Sequence, residues 1–511
     1  MDTATESERK YRTPEAFEPA RIVGAAGVRQ VGEPQVHDLD ATYFDTDDLR
    51  LARHRITLRR RTGGADAGWH LKTPGDRGDR TERRMPLGDA EEVPAELLAH
   101  VRAVVRDRPL APVARVRTRR QEYPLNDDGG RVLALLADDR VDAEVDGATR
   151  RWREMEIELV DGSRKVLKAV DKRVRALGAT PAADASKLAQ ALGDRLPAAA
   201  PRAPRAALPN AVQAVVAYVR DQRDAIVAND PAVRRGDAGA VHAMRVATRR
   251  LRSTLRTFRD GLWDRQQTEE LRAELSWLAD QLGGVRDRQV MAARMLRAVS
   301  AEPREAVVGP IDTRIAERLD QDLEQGRSAL GGALDDARYF RLLDALDALV
   351  DVPPATGVRG RWVRRRALTA LHRADTLLDA AMAPAEPTAD PAADEAGSRE
   401  HDRDEHLHEA RRAYKRARYA VEVFAPREGA PARQLVKRLT ALQDVLGDHQ
   451  DATITRGVLR EYADRAHAAG DSAFTYGVLY ARQHAAGEAV LTRLPAARRA
   501  SRRRSVRRWL G

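Results

Sequence analysis

One charged pattern occurs twice in this chain, 166 residues apart, and it limits what the second half can fold into. His242, Arg245, Arg249, Arg250, Arg252 and Phe258 recur as His408, Arg411, Lys415, Arg416, Arg418 and Phe424. Further on, Leu282, Gly283 and Asp287 recur as Leu446, Gly447 and Asp451, offset by 164. On a helix, Val241, Met244, Thr248, Leu251, Leu255 and Phe258 form one apolar stripe at three–four spacing. The second copy forms its stripe from Leu407, Ala410, Tyr414, Ala417, Val421 and Phe424. Two related helical bundles packed as a pseudo-symmetric pair are the simplest reading.

Beside each stripe runs a basic column: His242, Arg245, Arg249, Arg252, Arg256 and Arg259, then His408, Arg411, Lys415 and Arg418. Like charges at i,i+3 and i,i+4 repel by tenths of a kcal/mol per pair. A solvated face would intersperse acids; the first copy has none in its column. Two such columns imply a bound anion, and arginine forks fit phosphate oxygens. A metal role for His242 and His408 is disfavoured, because no second ligand at helical spacing is shared by both copies.

The remaining organisation follows from composition. The 511 residues exceed one compact core. Residues 1–196 read as mixed α/β, 197–208 as a Pro/Ala linker, 209–496 as helical (209–350 and 360–496, with a disordered loop at 383–399), and 497–511 as a solvated basic tail. Net charge +11 and pI about 10 call for polyanionic partners. There is no cysteine, which excludes disulfides, thiolate nucleophiles and Cys-ligated metal sites. No apolar run reaches the ~18 residues of a membrane span. The expectation is a cytoplasmic protein without membrane partners.

In the N-terminal part, Arg55–Arg61, Gly68–Thr73, Pro112–Tyr123, Arg131–Ala137 and Trp152–Val160 read as strands, and 163–177 and 185–192 as helices. Strand alternation gathers charge on one face: Glu6, Glu8 and Lys10; Arg59 and Arg61; His70 and Lys72; Arg80 and Glu82; Arg115, Arg117 and Arg119; Glu156 and Glu158. A closed barrel would turn that face inward, where mixed charge needs partners. Phosphate for the cations and a hard divalent ion for the carboxylates would supply them.

These two sets of residues resemble two known families. The paired His-x-x-Arg-x-x-x-Arg/Lys-Arg-x-Arg helices are similar to the CHAD domain, over about 209–496. That resemblance implies a basic cavity binding inorganic polyphosphate through His242, Arg245, Arg249, Arg250, Arg252, His408, Arg411, Lys415, Arg416 and Arg418. The Glu6-x-Glu8-x-Lys10 signature, Leu58-Arg59-Arg60-Arg61, Leu71-Lys72, Arg80-Thr81-Glu82, Glu156-x-Glu158 and Ser186-Lys187-Leu188 resemble the CYTH domain of the triphosphate tunnel metalloenzymes, over about 3–195. The fold implied is α+β: an eight-stranded antiparallel β tunnel followed by two helical bundles. The resemblance implies substrate binding by Lys10, Arg59, Arg61, Lys72, Arg80, Arg117, Arg119 and Lys187. Metal binding, of Mg²⁺ or Mn²⁺, falls to Glu6, Glu8, Asp139, Glu156 and Glu158, with Glu82 a further polar candidate. Glu156, Glu158, Lys10 and Arg59 are the expected catalytic core. Asp138 competes with Asp139, and the run Arg115–Arg120 leaves its register open.

The function implied is metal-dependent hydrolysis of inorganic triphosphate or another triphosphate, with polyphosphate bound by the helical half. A non-catalytic polyphosphate-binding protein, associated with polyphosphate granules, is the alternative. Nucleic acid is disfavoured as a partner: aromatics, at 4%, are too few to stack bases.

Overall fold

The computed structural model describes the chain except residues 26, 76–78, 89–91, 183–185, 197–209, 352–356 and 384–394. Its contacts divide it into two units, 1–201 and 202–511. The expected linker and most of the expected loop at 383–399 lie outside the described residues. Residues 395–399 of that loop are already helical.

The first unit is a β-rich domain. Its strands are β1 (Asp2–Glu6), β2 (Glu8–Arg12), β3 (Gln30–Val31), β4 (Gln35–Asp45), β5 (Thr57–Thr62), β6 (Gly68–Pro74), β7 (Arg80–Met85), β8 (Ala111–Asn126), β9 (Val132–Val145), β10 (Ala148–Leu159) and β11 (Thr180–Pro181). Its helices are α1 (Arg50–Arg53), α2 (Ala95–Val105), α3 (Arg164–Ala176) and α4 (Lys187–Leu192). The antiparallel order is β1-β7-β6-β5-β4-β8-β9-β10-β2-β11, with β3 on β8. The two ends of the main run are one stretch of chain: β1 pairs with β7, β2 pairs with β10, and only Ser7 separates them. That stretch closes the sheet on itself and leaves no edge between β7 and β10. With β1 and β2 counted together, eight strands surround the interior, as the resemblance implied.

Alternation decides which side chains enter. In β10, Met155 and Ile157 point outward and bury against Leu167, Val170 and Val174 of α3. Each such burial is worth about 1.5–3 kcal/mol. Glu154, Glu156 and Glu158 take the opposite face. Leu188 and Leu192 of α4 pack with Ala41, Tyr43 and Val116, which also line the interior. Helix α4 therefore caps one end, its start fixed by Ser186 Oγ accepting from Ala189 N at 3.1 Å.

The second unit is all helical: α5 (Asn210–Arg234), α6 (Ala238–Leu262), α7 (Arg265–Ser300), α8 (Ile311–Asp335), α9 (Ala337–Asp351), α10 (Gly360–Ala381), α11 (Glu395–Glu422), α12 (Ala425–Glu428), α13 (Ala430–Ala468), α14 (Phe474–Leu491), α15 (Leu494–Arg502) and α16 (Arg504–Arg507). Packing runs α5–α6–α7–α8 in one half and α10–α11–α13–α14 in the other, with α6 against α11. Every residue of both expected apolar stripes is buried. The copies also match in detail. A Cβ on Gly283 would stand 3.7 Å from Arg245 Nη2, and one on Gly447 would stand 3.5 Å from Arg411 Nη2. In each half the guanidinium lies along bare helix backbone.

The basic tail is not a solvated extension. Helices α15 and α16 and the turn after them bury Leu494, Val506 and Leu510 in the main helical core. Asp375 accepts from Tyr414 Oη (2.6 Å), Arg502 Nε (3.1 Å) and Arg507 Nη1 (2.5 Å). The arginine count of the segment hid an apolar residue every few positions and an acidic anchor more than a hundred residues away.

Candidate functional site

The tunnel interior is built by register. In the antiparallel pairs, directly opposed residues share a face. Lys10 on β2 stands opposite Glu156 on β10, and its Nζ lies 2.5 Å from Glu156 Oε1. Asp139 on β9 stands opposite both Arg120 on β8 and Glu154 on β10. Lys187 enters from α4 and places Nζ 2.8, 2.6 and 2.7 Å from Asp139, Glu154 and Glu156. Arg120 bridges Asp139 and Glu156, each at 2.7 Å. Ligand oxygens of Asp139, Glu154 and Glu156 lie within 4.8 Å of one another.

The other wall centres on Glu6 and Glu82, both buried. Lys72 Nζ is 2.6 Å from Glu6 and 3.5 Å from Glu82. His70 Nδ1 is 3.0 Å from Glu82, and Arg84 also pairs with it. Arg59 and Arg61 project inward from β5; Arg59 reaches Tyr43 Oη at 3.4 Å and Arg61 pairs with Asp66. The Nε atoms of both arginines are buried without a hydrogen-bond partner. Arg80 stands at the lining and donates to Arg55 O at 2.8 Å. Glu8 and Glu158 complete the lining. With its cations drawn onto its carboxylates, the interior keeps about 80 Å³ free.

The charge states follow. Burial opposes ionisation of Glu156, but Lys10, Lys187 and Arg120 hold it well below the usual carboxylate range. Burial likewise opposes ionisation of Asp139, and Lys187 and Arg120 push it down. Glu158 has no such partner: burial, then Glu6, Glu8 and Glu156, push it up to about 7 against the pull of Lys72.

The expectation for Arg117 and Arg119 needs correction, the expected Asp139 faces the interior, and one acid went unread. Arg117 and Arg119 point out of the tunnel and are exposed; Arg117 sits 3.6 Å from Asp40. The inward arginine is Arg120. A one-residue shift exchanges the faces of a strand, and six residues carrying four arginines do not reveal which parity faces in. Asp139, not Asp138, enters; Asp138 pairs with Arg153 at 2.8 Å. Glu154 was missed, although it continues the Glu156, Glu158 alternation. His70 and Asp66 are further polar neighbours.

The helical unit holds a separate cavity of about 550 Å³. Arg245, Arg249, Arg252 and Arg256 line it from α6, Arg272 from α7, and Arg412, Lys415 and Arg416 from α11, against a single carboxylate, Glu269. Tyr419 also lines it: its hydroxyl accepts from Arg249 Nε at 2.7 Å, and Arg418 lies over its ring at 4.7 Å. Burial and the neighbouring Arg411, Arg249 and Arg245 lower Lys415 to about 7. Burial and Arg256, Arg373 and Arg412 lower Arg416 to about 10.

Of the ten expected anion-binding residues, five line this cavity: Arg245, Arg249, Arg252, Lys415 and Arg416. Arg411 lies within electrostatic reach of Arg249 and Arg245. His242 is exposed beside Arg286 and Arg249, and His408 is held by Gln450 at 2.7 Å. Arg250 instead pairs with Glu422, and Arg418 with Gln443 at 2.9 Å. Arg256 was legible in the basic column, whereas Arg272 reaches the cavity only through the packing of α7. Among the described residues, no helix is long and apolar enough to cross a membrane.

A closed tunnel of opposed cations and carboxylates, followed by paired bundles around an arginine cavity, defines a two-domain protein of the CYTH and CHAD classes. The CYTH domain model matches residues 4–190 and the CHAD domain model residues 217–460. The chain belongs to the family of CYTH–CHAD proteins. It is 39% identical over 514 residues to the uncharacterized protein Rv2226 of Mycobacterium tuberculosis, covering 97% of this chain and 96% of that one. Among solved structures it is similar to the CHAD domain of the plant Ricinus communis (25% identity, TM-score 0.41, 57% of this chain and 93% of that one). It is also similar to HpAC1 from Hippeastrum, for which a dominant triphosphatase activity is described (20% identity, TM-score 0.25, 36% and 94%).

Proposed function

We propose that the tunnel hydrolyses inorganic triphosphate with Mg²⁺ or Mn²⁺, and that the helical cavity binds inorganic polyphosphate. The observation that carries the reading is the cluster of Asp139, Glu154 and Glu156, whose ligand oxygens lie within 4.8 Å of one another beside a tunnel lined by Lys10, Arg59, Arg61, Lys72, Arg120 and Lys187 as well as by further carboxylates. The donors are all carboxylate oxygen, the set that suits a hard divalent ion. Asp139, Glu154 and Glu156 would hold it, with Glu158, Glu6 and Glu8 adjoining. Such an ion supplies charge neutralisation for phosphoryl oxygens and acidifies water.

The chain's own residues do the rest. Lys10, Arg120 and Lys187 neutralise the acid cluster in the absence of ligand. With the carboxylates holding a divalent ion, Lys10, Arg120 and Lys187 would be free to donate to phosphate oxygens instead. Arg59 and Arg61 offer unpartnered Nε donors to the same anion. Once on the phosphate, these cations stabilise the charge that develops in the transition state. Glu158, pushed up to about 7 by burial and by Glu6, would lose its proton more readily with a cation held beside it.

Phosphate release from tripolyphosphate with Mg²⁺ or Mn²⁺ tests this directly. Release by the wild type, lost in Glu156→Ala/Glu158→Ala, supports the triphosphatase. No release by a wild type that binds polyphosphate would make this a binding protein.

A further inference from the structure

We propose that the arginine cavity of the helical unit selects by chain length: affinity for linear polyphosphate climbs until about eight phosphates are held, and then levels off. The inference rests on the polyphosphate reading above and deepens it.

The cavity is a track. Arg245 and Arg256, its two ends on α6, are eleven residues apart, about 16 Å along the helix. Each cation is within electrostatic reach of the next: Arg249 near Lys415 and Arg252, Arg252 near Arg272 and Arg412, and Arg256 near Arg412 and Arg416. Three linked phosphate tetrahedra do not reach from one end to the other.

Charge sets the capacity. Eight cations line the track and one carboxylate faces them. Arg245 is paired with Asp287, and Arg272 with Glu269. Arg249 and Arg252 donate to the neutral hydroxyls of Tyr419 and Ser276, with Asp280 also within electrostatic reach of Arg252. Among the described residues, Arg256, Arg412, Lys415 and Arg416 have no hydrogen-bond or ion-pair partner. An internal phosphate of a polyphosphate carries one negative charge at neutral pH. Six of the lining cations lack an ion-pair partner among the described residues, and Arg411 and Arg373 adjoin them, so full compensation takes a stretch of about eight phosphates. Each phosphate added inside the track binds a residue already held close, so affinity grows multiplicatively. A phosphate past Arg373 and Arg411, which adjoin the two sides of the track, leaves this run of cations and adds less. Burial lowers Lys415 and Arg416 most, and the mutual repulsion that lowers them further is relieved as phosphates are added.

The test is calorimetric titration of the full chain with tripolyphosphate and with polyphosphates of about 14 and about 60 phosphates, at several salt concentrations. Lys10→Ala/Arg59→Ala silences tunnel binding. We expect the 14-mer to bind roughly 100-fold more tightly than tripolyphosphate, and the 60-mer to show no steeper salt dependence than the 14-mer. Arg256→Ala/Arg412→Ala, both at exposed positions, should weaken 14-mer binding about tenfold and reduce its salt slope by roughly 1.5–2. If the tunnel variant does not fold, the difference between wild type and Arg256→Ala/Arg412→Ala isolates the cavity, because the two share one tunnel. Equal affinity for tripolyphosphate and the 14-mer overturns the proposal, as does a salt slope still steepening at the 60-mer. Absence of binding at every length removes the polyphosphate reading itself.

Discussion

Lys187 Nζ lies 2.8 Å from Asp139 Oδ2, at the centre of the carboxylate cluster assigned to a divalent ion. Burial opposes its charge, yet Asp139, Glu156 and Glu154 raise its pKa well above that of an ordinary lysine. The ammonium therefore stands where added positive charge would go.

Substituting this lysine should separate binding of the ion from turnover. Lys187→Met is expected to tighten Mn²⁺ binding without substrate by about tenfold, since a competing charge is gone. Phosphate release should fall. Mn²⁺ titration followed by electron paramagnetic resonance reads the first, and a phosphate assay the second. Unchanged or weaker Mn²⁺ binding would show that the ammonium does not compete for those oxygens.

The parity of β8 gives a paired test. Arg120→Ala removes the bridge between Asp139 and Glu156 and should lower phosphate release by roughly 100-fold or more. Arg119→Ala removes an exposed side chain and should stay within about twofold. Steady-state rates of the two variants decide it. A larger loss in Arg119→Ala would reverse the assigned register.

Polyphosphate binding should weaken as pH rises through neutrality. Arg411, Arg249 and Arg245 face Lys415, with Asp451 the acid that partly offsets them, and free Lys415 titrates at about 7. A bound polyanion restores its proton, so binding takes up a proton above that pH. Below about pH 7 the gain is complete; above it, affinity should fall by up to tenfold per unit. The sign for folding is the opposite. The native pKa is depressed below the unfolded one, so this group destabilises the native state below pH 7, and the penalty is relieved as pH rises toward the unfolded value. Titrations at pH 6, 7 and 8 in two buffers of different ionisation heat measure the uptake, and Lys415→Arg should remove it.

The C-terminal helices should matter for stability. Asp375→Ala deprives Tyr414, Arg502 and Arg507 of a shared acceptor. We expect a loss of roughly 2–4 kcal/mol, read in urea unfolding of the helical unit. A loss below about 0.5 kcal/mol would return this segment to the status of a surface tail.

The amino-acid sequence by itself separated the strand-rich half from the helical half and placed most of the charged side chains on their faces. Period-two alternation put Glu156 and Glu158 on one face, and three–four spacing separated the stripe of Met244 and Leu251 from the column of Arg245 and Arg249. Both are properties of neighbours along the chain, and local geometry reads them directly. Tertiary structure alone decided which parity of β8 faces inward, and so Arg120 over Arg119. It decided Asp139 over Asp138, because the partner that selects between adjacent aspartates sits on another strand. It brought Arg272 from α7 into the cavity and turned Arg250 away to Glu422. It also folded the arginine-rich tail onto Asp375. Each of these depends on a contact between residues far apart in sequence, where a shift of one position changes the partner and leaves the local pattern unaltered.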